Sequence, residues 1–141
     1  MKVAAYNNNV RTTHNTRKMK MDINKVCSDI GAVMLASGLN VDGVNTVIRD
    51  NSFLGYTEVV FMFPDSTFDD EGEWLDDQWL RAIVVCDLLR KETPAPDDLS
   101  TEEFNNILEA AKELRESGRI VGAEVSDSDL GVIRIRVLDL P

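Results

Sequence analysis

The chain has 141 residues, of which 43% are apolar and 28% charged, and its 25 acids against 15 Lys and Arg give a formal net charge of −10. Those proportions suit one domain that buries roughly two-thirds of the surface exposed by its unfolded form, and they exclude a wholly disordered chain. Residues 1–25 hold six basic groups and one acid, so the remainder is strongly acidic, and such a body repels nucleic acid and anionic lipid.

Residues 1–20 read as a flexible basic arm carrying Arg11, Arg17, Lys18 and Lys20, with His14 as the only histidine. The arm has no hydrophobic run, so no signal peptide is expected. No apolar stretch approaches the ~20 residues a membrane span needs. Residues 21–141 read as a single α+β domain. From Asp22 a helical period begins, with Ile23, Val26, Cys27, Ile30, Val33 and Met34 on one stripe, Asp22 as the cap and Gly38 as the stop. Val44–Arg49 and Tyr56–Phe63 alternate and predict a hairpin that places Val59, Phe61 and Phe63 on one face.

The second predicted helix runs from about Trp74 to Lys91, with Leu75, Trp79, Ala82, Ile83, Cys86 and Leu89 inward and Pro94 and Pro96 beyond its end. Ser100-Thr101-Glu102-Glu103 is a capping box for a third helix, which buries Phe104, Ile107, Leu108, Ala111 and Leu114 and stops at Gly118. Ile120–Val125 and Val132–Leu138 predict a second hairpin across Asp127–Gly131, with Ile133, Ile135 and Val137 inward and Arg134 and Arg136 outward. The order is α-β-β-α-α-β-β. It implies an antiparallel sheet of about four strands with three helices packed on one face. The two ends share a stapled helix, a Ser-Gly stop and a Ser-x-Leu-Gly turn, which leaves open both a divergent internal duplication and a coincidence of common turn chemistry.

The first of these units, a helix followed by Val47–Phe63, is similar in pattern to helix–hairpin modules attached to large polyvalent proteins of phages and other mobile elements. The likeness covers about a quarter of the chain and implies no site residue.

The densest chemistry lies in Pro64–Asp77, where Asp65, Asp69, Asp70, Glu71, Glu73, Asp76 and Asp77 crowd around Phe68 and Trp74. An EF-hand reading fails: with Gly72 at the sixth position, Thr67 stands first and Gln78 twelfth, where Asp and a bidentate Glu are needed. A looser divalent-cation site remains one reading. Acids gathered at a helix N-terminus, where the dipole favours them, are another. A third is an anionic surface that occupies the basic, nucleic-acid-binding surface of another protein, with Trp74 and Phe68 as anchors if exposed. Catalytic signatures are missing from the sequence: no G-x-S-x-G, P-loop or G-x-G-x-x-G occurs, and Cys27 and Cys86 fall on apolar stripes, away from any metal-ligand spacing.

The expectation is therefore a small, cytoplasmic, non-enzymatic interaction protein, with no cofactor and no metal, that inhibits a larger protein in the manner of a phage-type nucleic-acid mimic. Its partner surface would be Asp65, Phe68, Asp69, Asp70, Glu71, Glu73, Trp74, Asp76 and Asp77, extending to Glu103. Direct nucleic-acid binding by the acidic body and membrane association are not expected; a homo-oligomer is compatible. The alternatives are an oligomerising adaptor whose acids serve solubility and, third, a divalent-cation-dependent enzyme.

Overall fold

Two runs of alternating apolar residues, Val59-Phe61-Phe63 and Ile133-Ile135-Val137, form the floor of the core, and all six are buried. They lie on adjacent central strands of a four-stranded antiparallel sheet. In the computed structural model, residues 14–92, 99–126 and 131–139 are described. They form helix α1 (His14–Ser37), strands β1 (Asn45–Asn51) and β2 (Tyr56–Met62), helices α2 (Asp76–Leu89) and α3 (Thr101–Ser117), and strands β3 (Ile120–Val125) and β4 (Val132–Leu138). Short 3₁₀ turns occupy Ser52–Leu54 and Asp65–Thr67. The strand order is β1-β2-β4-β3, so the α+β class and the α-β-β-α-α-β-β order are those the sequence implies.

The sheet is hydrophobic on its helix-covered face and mixed on the other. Across β2 and β4, Val59 pairs with Ile135 and Phe61 with Ile133, all without solvent exposure. The intervening pairs, Glu58 with Arg136 and Val60 with Arg134, point to the opposite side. The helices cover the apolar side with the stripes their period dictates. Ile30, Val33 and Met34 of α1, Ala82, Val85 and Leu89 of α2, and Ile107 and Ala111 of α3 are buried in one continuous core. Each such aliphatic side chain contributes about 1.5–3 kcal/mol when fully removed from water.

The helix ends differ from the sequence reading in two places. Helix α1 begins at His14, so residues 14–20 are helical and Asp22, read as the cap, lies inside the helix. Lys, Arg and Met between Arg17 and Met21 are good helix formers, which lets the element run on past the first apolar residue. Residues 1–13 lie outside the described residues, as do Pro94 and Pro96 and the tip of the second hairpin at residues 127–130. Helix α2 begins at Asp76, two residues after the expected start at Trp74, with Leu75 as an N-cap that supplies no side-chain bond. Helix α3 starts where expected: Glu103 N–H donates to the Ser100 hydroxyl at 3.1 Å, and the Glu103 carboxylate accepts from the Ser100 N–H at 3.2 Å.

The first helices of the two α-β-β units stop in the same way. Ser37 and Ser117 each donate their hydroxyl to the carbonyl three residues back, Met34 and Leu114, at 2.7 and 2.6 Å. Each is followed by a glycine of positive φ, Gly38 at +87° and Gly118 at +69°, which closes the helix in the left-handed conformation. The order β1-β2-β4-β3 places the first hairpin and the second on either side of the β2–β4 seam, with α2 between the two units in sequence.

Cys27 and Cys86 are buried, and burial pushes both thiols up to about 12. Because the thiolate is the reacting species, neither should be modified by an aromatic disulfide reagent near pH 8 while the fold is intact. Both should react at once in denaturant. Fast labelling of either thiol in native buffer would contradict the packing described.

Candidate acidic site

The acidic segment enters from β2 through Phe63 and Pro64 and turns at once. Asp65–Thr67 make one 3₁₀ turn, with Thr67 N–H donating to the Pro64 carbonyl at 2.9 Å. The chain then reverses on itself: Phe68 and Trp74 form an isolated antiparallel bridge, and between them Asp69 N–H donates to the Glu73 carbonyl at 2.8 Å. The corner is tightened by Gly72, whose φ of +81° few other residues adopt, and whose N–H donates to the Asp69 carbonyl at 3.0 Å. One carboxylate organises the turn. Asp69 Oδ1 accepts from the N–H groups of Glu71 and Glu73 at 2.9 and 3.0 Å, the backbone-mimicking use of aspartate that favours tight turns.

Beneath the turn lies an aromatic cluster. The Trp74 ring centroid is 5.3 Å from Phe63, 5.2 Å from Phe68 and 6.2 Å from Trp79, in tilted or edge-on geometries. Such contacts add about 0.5–1.5 kcal/mol each beyond their buried area. The indole N–H donates to the Ser126 carbonyl at 2.7 Å, which ties the segment to the end of β3. Phe68 lies against Gly131, where a Cβ would stand 2.1 Å from the ring, so glycine is required by space as well as by its φ of +53°.

A second anchor joins the segment to the helices. Asn40 Nδ2 donates to the Ser66 hydroxyl at 2.5 Å, and the Asn40 N–H donates to Gln78 Oε1 of α2 at 2.8 Å. One turn further along α2, Arg81 Nη1 donates to the Ser37 carbonyl at 2.6 Å, placing a cation at the negative end of the α1 dipole. Arg81 also holds Asp77 at 3.0 Å and lies 3.8 Å from Glu103, so the starts of α2 and α3 meet at one guanidinium. Gly38 makes room for it: a Cβ there would come within 2.7 Å of Arg81 Nη1.

The nine residues expected to form the partner surface therefore divide. Asp65, Asp69, Asp70, Glu71, Glu73 and Asp76 are exposed, and none of them makes an ion pair among the described residues. Asp77 is exposed but paired with Arg81. Phe68 is half-buried in the cluster. Trp74, an anchor on the condition of being exposed, is only 7% exposed and serves the interior, whereas Leu75, expected on the inward stripe, is 41% exposed. The exchange follows from the late start of α2: a helical period extended back to Trp74 assigns the wrong faces to residues that are extended. Glu103, the far end of the expected surface, is engaged by the α3 cap and by Arg81.

Sequence reasoning missed Asn40, Ser66, Gln78, Arg81 and Gly131, the residues that fix the segment in place. The spacing of Asp77 and Arg81, four apart on a helix, was the only local signal among them. Among the described residues no three carboxylate, thiol or imidazole side chains gather closely enough to hold a metal ion, and no helix is long and apolar enough to cross a membrane. Comparison of the chain with models of known protein families, with curated proteins and with solved structures returned no match.

The Arg81 hydrogen bond holds the Asp77 carboxyl below its ordinary value. A carboxyl depressed in the folded state contributes stability above its unfolded pKa of about 4 and loses it as pH falls through the lower folded value. Asp77 is 64% exposed, so solvent screening limits the effect to below about 1 kcal/mol. Asp77→Asn should accordingly be slightly less stable than the parent in urea at neutral pH, with the difference shrinking below about pH 4. A difference that stays constant down to about pH 2 would show that the ion pair is not its source.

Proposed function

We propose that the chain is a non-enzymatic interaction protein whose acidic turn docks on a basic surface of a larger protein, of the kind that otherwise holds nucleic acid. The observation that carries this reading is the exposure of Asp70, Glu71, Glu73 and Asp76, without a cationic partner among the described residues, on a turn fixed by Asp69 and by the aromatic cluster. A preorganised row of carboxylates meets cations without first ordering a loop, which is where flexible acidic tails lose affinity. Exposed Leu75 and half-buried Phe68 flank the acids and supply apolar contact at the rim.

The distribution of the cations supports the same reading. Arg81, Arg90, Arg115 and Arg119 each donate to a backbone carbonyl, of Ser37, Ala123, Leu88 and Leu138 respectively. The acids that Arg81 and Arg90 also pair with are Asp77, Glu103, Asp87 and Glu92, none of them among the four exposed acids of the turn. Inhibition by mimicry of a nucleic acid and a cytoplasmic site of action belong to this proposal as its biological form.

A second reading is favoured by the sheet face that the helices leave open. There Val47, Met62 and Leu138 are exposed beside Arg49, Glu58 and Arg136, a mixed surface on which a second copy or a scaffold can pack. The two readings separate cleanly. Capture of partners from the source cell with the parent and with an Asp70→Asn, Glu71→Gln, Glu73→Gln, Asp76→Asn variant, at low and high salt, should recover a basic protein that the variant binds at least about tenfold more weakly and that salt releases. Unchanged capture by the variant, or a concentration-dependent mass indifferent to it, would favour the oligomerising adaptor.

A further inference from the structure

We infer that the outer edge of β1 pairs in antiparallel with β1 of a second copy of the chain, joining two four-stranded sheets into one of eight strands. The inference takes up the adaptor reading and places its contact on the strand edge, through backbone groups and not through the acidic turn. An edge strand carries a row of backbone N–H and C=O groups with no strand to bond, and proteins commonly blunt such edges. The two edges of this sheet are treated differently.

The β3 edge is guarded. Its register with β4 shifts between Ile120 and Gly122, α2 packs closely along it, and Arg90 at the end of α2 donates to the Ala123 carbonyl. β1 has none of these devices. Its seven residues pair with β2 in unbroken register, include no Pro, Gly or Lys, and are packed by no described helix as β3 is by α2. The core records the same difference. Ile48 shares one cross-strand row with Val59, Ile135 and Ala123. Those three are buried, Ala123 at the far edge included, whereas Ile48 at the near edge is only half-buried. The apolar layer beneath the helices therefore stays open at β1.

The sequence of β1 suits a copy of itself. Centred on Ile48, the pairing sets that residue against its own equivalent and matches Val47 with Arg49, Thr46 with Asp50 and Asn45 with Asn51 of the other copy. All seven residues then find a partner, and no charge stands directly opposite its like. Matched residues lie on the same face, so the helices of both copies cover the same side of the joined sheet. Centring on Arg49 or Asp50 would oppose like charges, and centring on Val47 would leave Asp50 and Asn51 without a strand residue to face. Arg49 itself leans towards Glu58 of β2, at 3.6 Å, and away from the seam. The meeting of the two Ile48 side chains continues the apolar layer, in a self-complementary contact that closes at two copies.

Sedimentation equilibrium of the full chain at low and high salt tests this. The parent should show a monomer–dimer equilibrium that tightens as salt rises, because each copy carries a net charge of −10 while backbone bonds and apolar contact hold the seam. Docking of a basic partner on the acidic turn responds to salt in the opposite sense, so the two readings fail separately. Val47→Glu and Val47→Lys, at a position 39% exposed, set opposite or like charge against Arg49 at two symmetric places. The lysine variant should dissociate about tenfold more readily than the glutamate variant. Under mild oxidation Ile48→Cys should give a cross-linked dimer, since directly opposed Cα atoms stand about 4.5–5.5 Å apart, whereas Val121→Cys on the guarded edge should not. A monomer at every concentration up to about 1 mM, a dimer loosened by salt, equal dimerisation of the two Val47 variants, or cross-linking of Val121→Cys as fast as of Ile48→Cys would each overturn the inference.

Discussion

The fold depends on guanidinium groups that reach backbone carbonyls at the ends of its elements. Arg81 of α2 closes α1 at Ser37, Arg115 of α3 closes α2 at Leu88, and Arg119 closes β4 at Leu138, with bonds of 2.6–2.7 Å. Helix ends leave carbonyls without partners, and a charged donor from a neighbouring element satisfies them while joining the two elements. These contacts explain how three helices of modest length hold their places on one sheet. They also fix where positive charge sits: Arg81 reaches Asp77 and Glu103 and Arg90 reaches Asp87 and Glu92, while Asp70, Glu71, Glu73 and Asp76 make no ion pair among the described residues.

Around the Arg81 junction the acidic segment becomes a fixed feature. Asn40, Gln78 and Ser66 bind its beginning to the end of α1, and Trp74 binds its end to β3. The intervening hairpin is short enough for one aspartate to organise. What emerges is a small turn with carboxylates at its corners and aromatic rings below, positioned by contacts with three separate parts of the chain. The site is thus a product of tertiary structure, even though every acid in it lies within fourteen residues of sequence.

That distinction marks what the sequence made legible. The stripe from Ile23 to Met34, the alternation of Ile133, Ile135 and Val137, and the Ser100–Glu103 box are periodic or local signals, and each leads to the element it implies. The Ser-Gly stops at 37–38 and 117–118 were equally readable, since glycine there answers a backbone need. The faces of Trp74 and Leu75 were not, because two residues of extended chain precede α2 and reverse a pattern that assumes a helix. Nor could local pattern place Phe68 on Gly131, or Arg81 on Ser37, since these contacts join residues more than forty positions apart.

The carboxylates at the turn are held in a single arrangement by Asp69 and by the rings beneath. Backbone ¹⁵N relaxation across Phe68–Leu75 tests it most directly. Order parameters close to those of α2 and α3, about 0.85, are expected of a turn held in this way. Values below about 0.6 from Asp69 to Glu73 would describe a loose acidic loop and would contradict it.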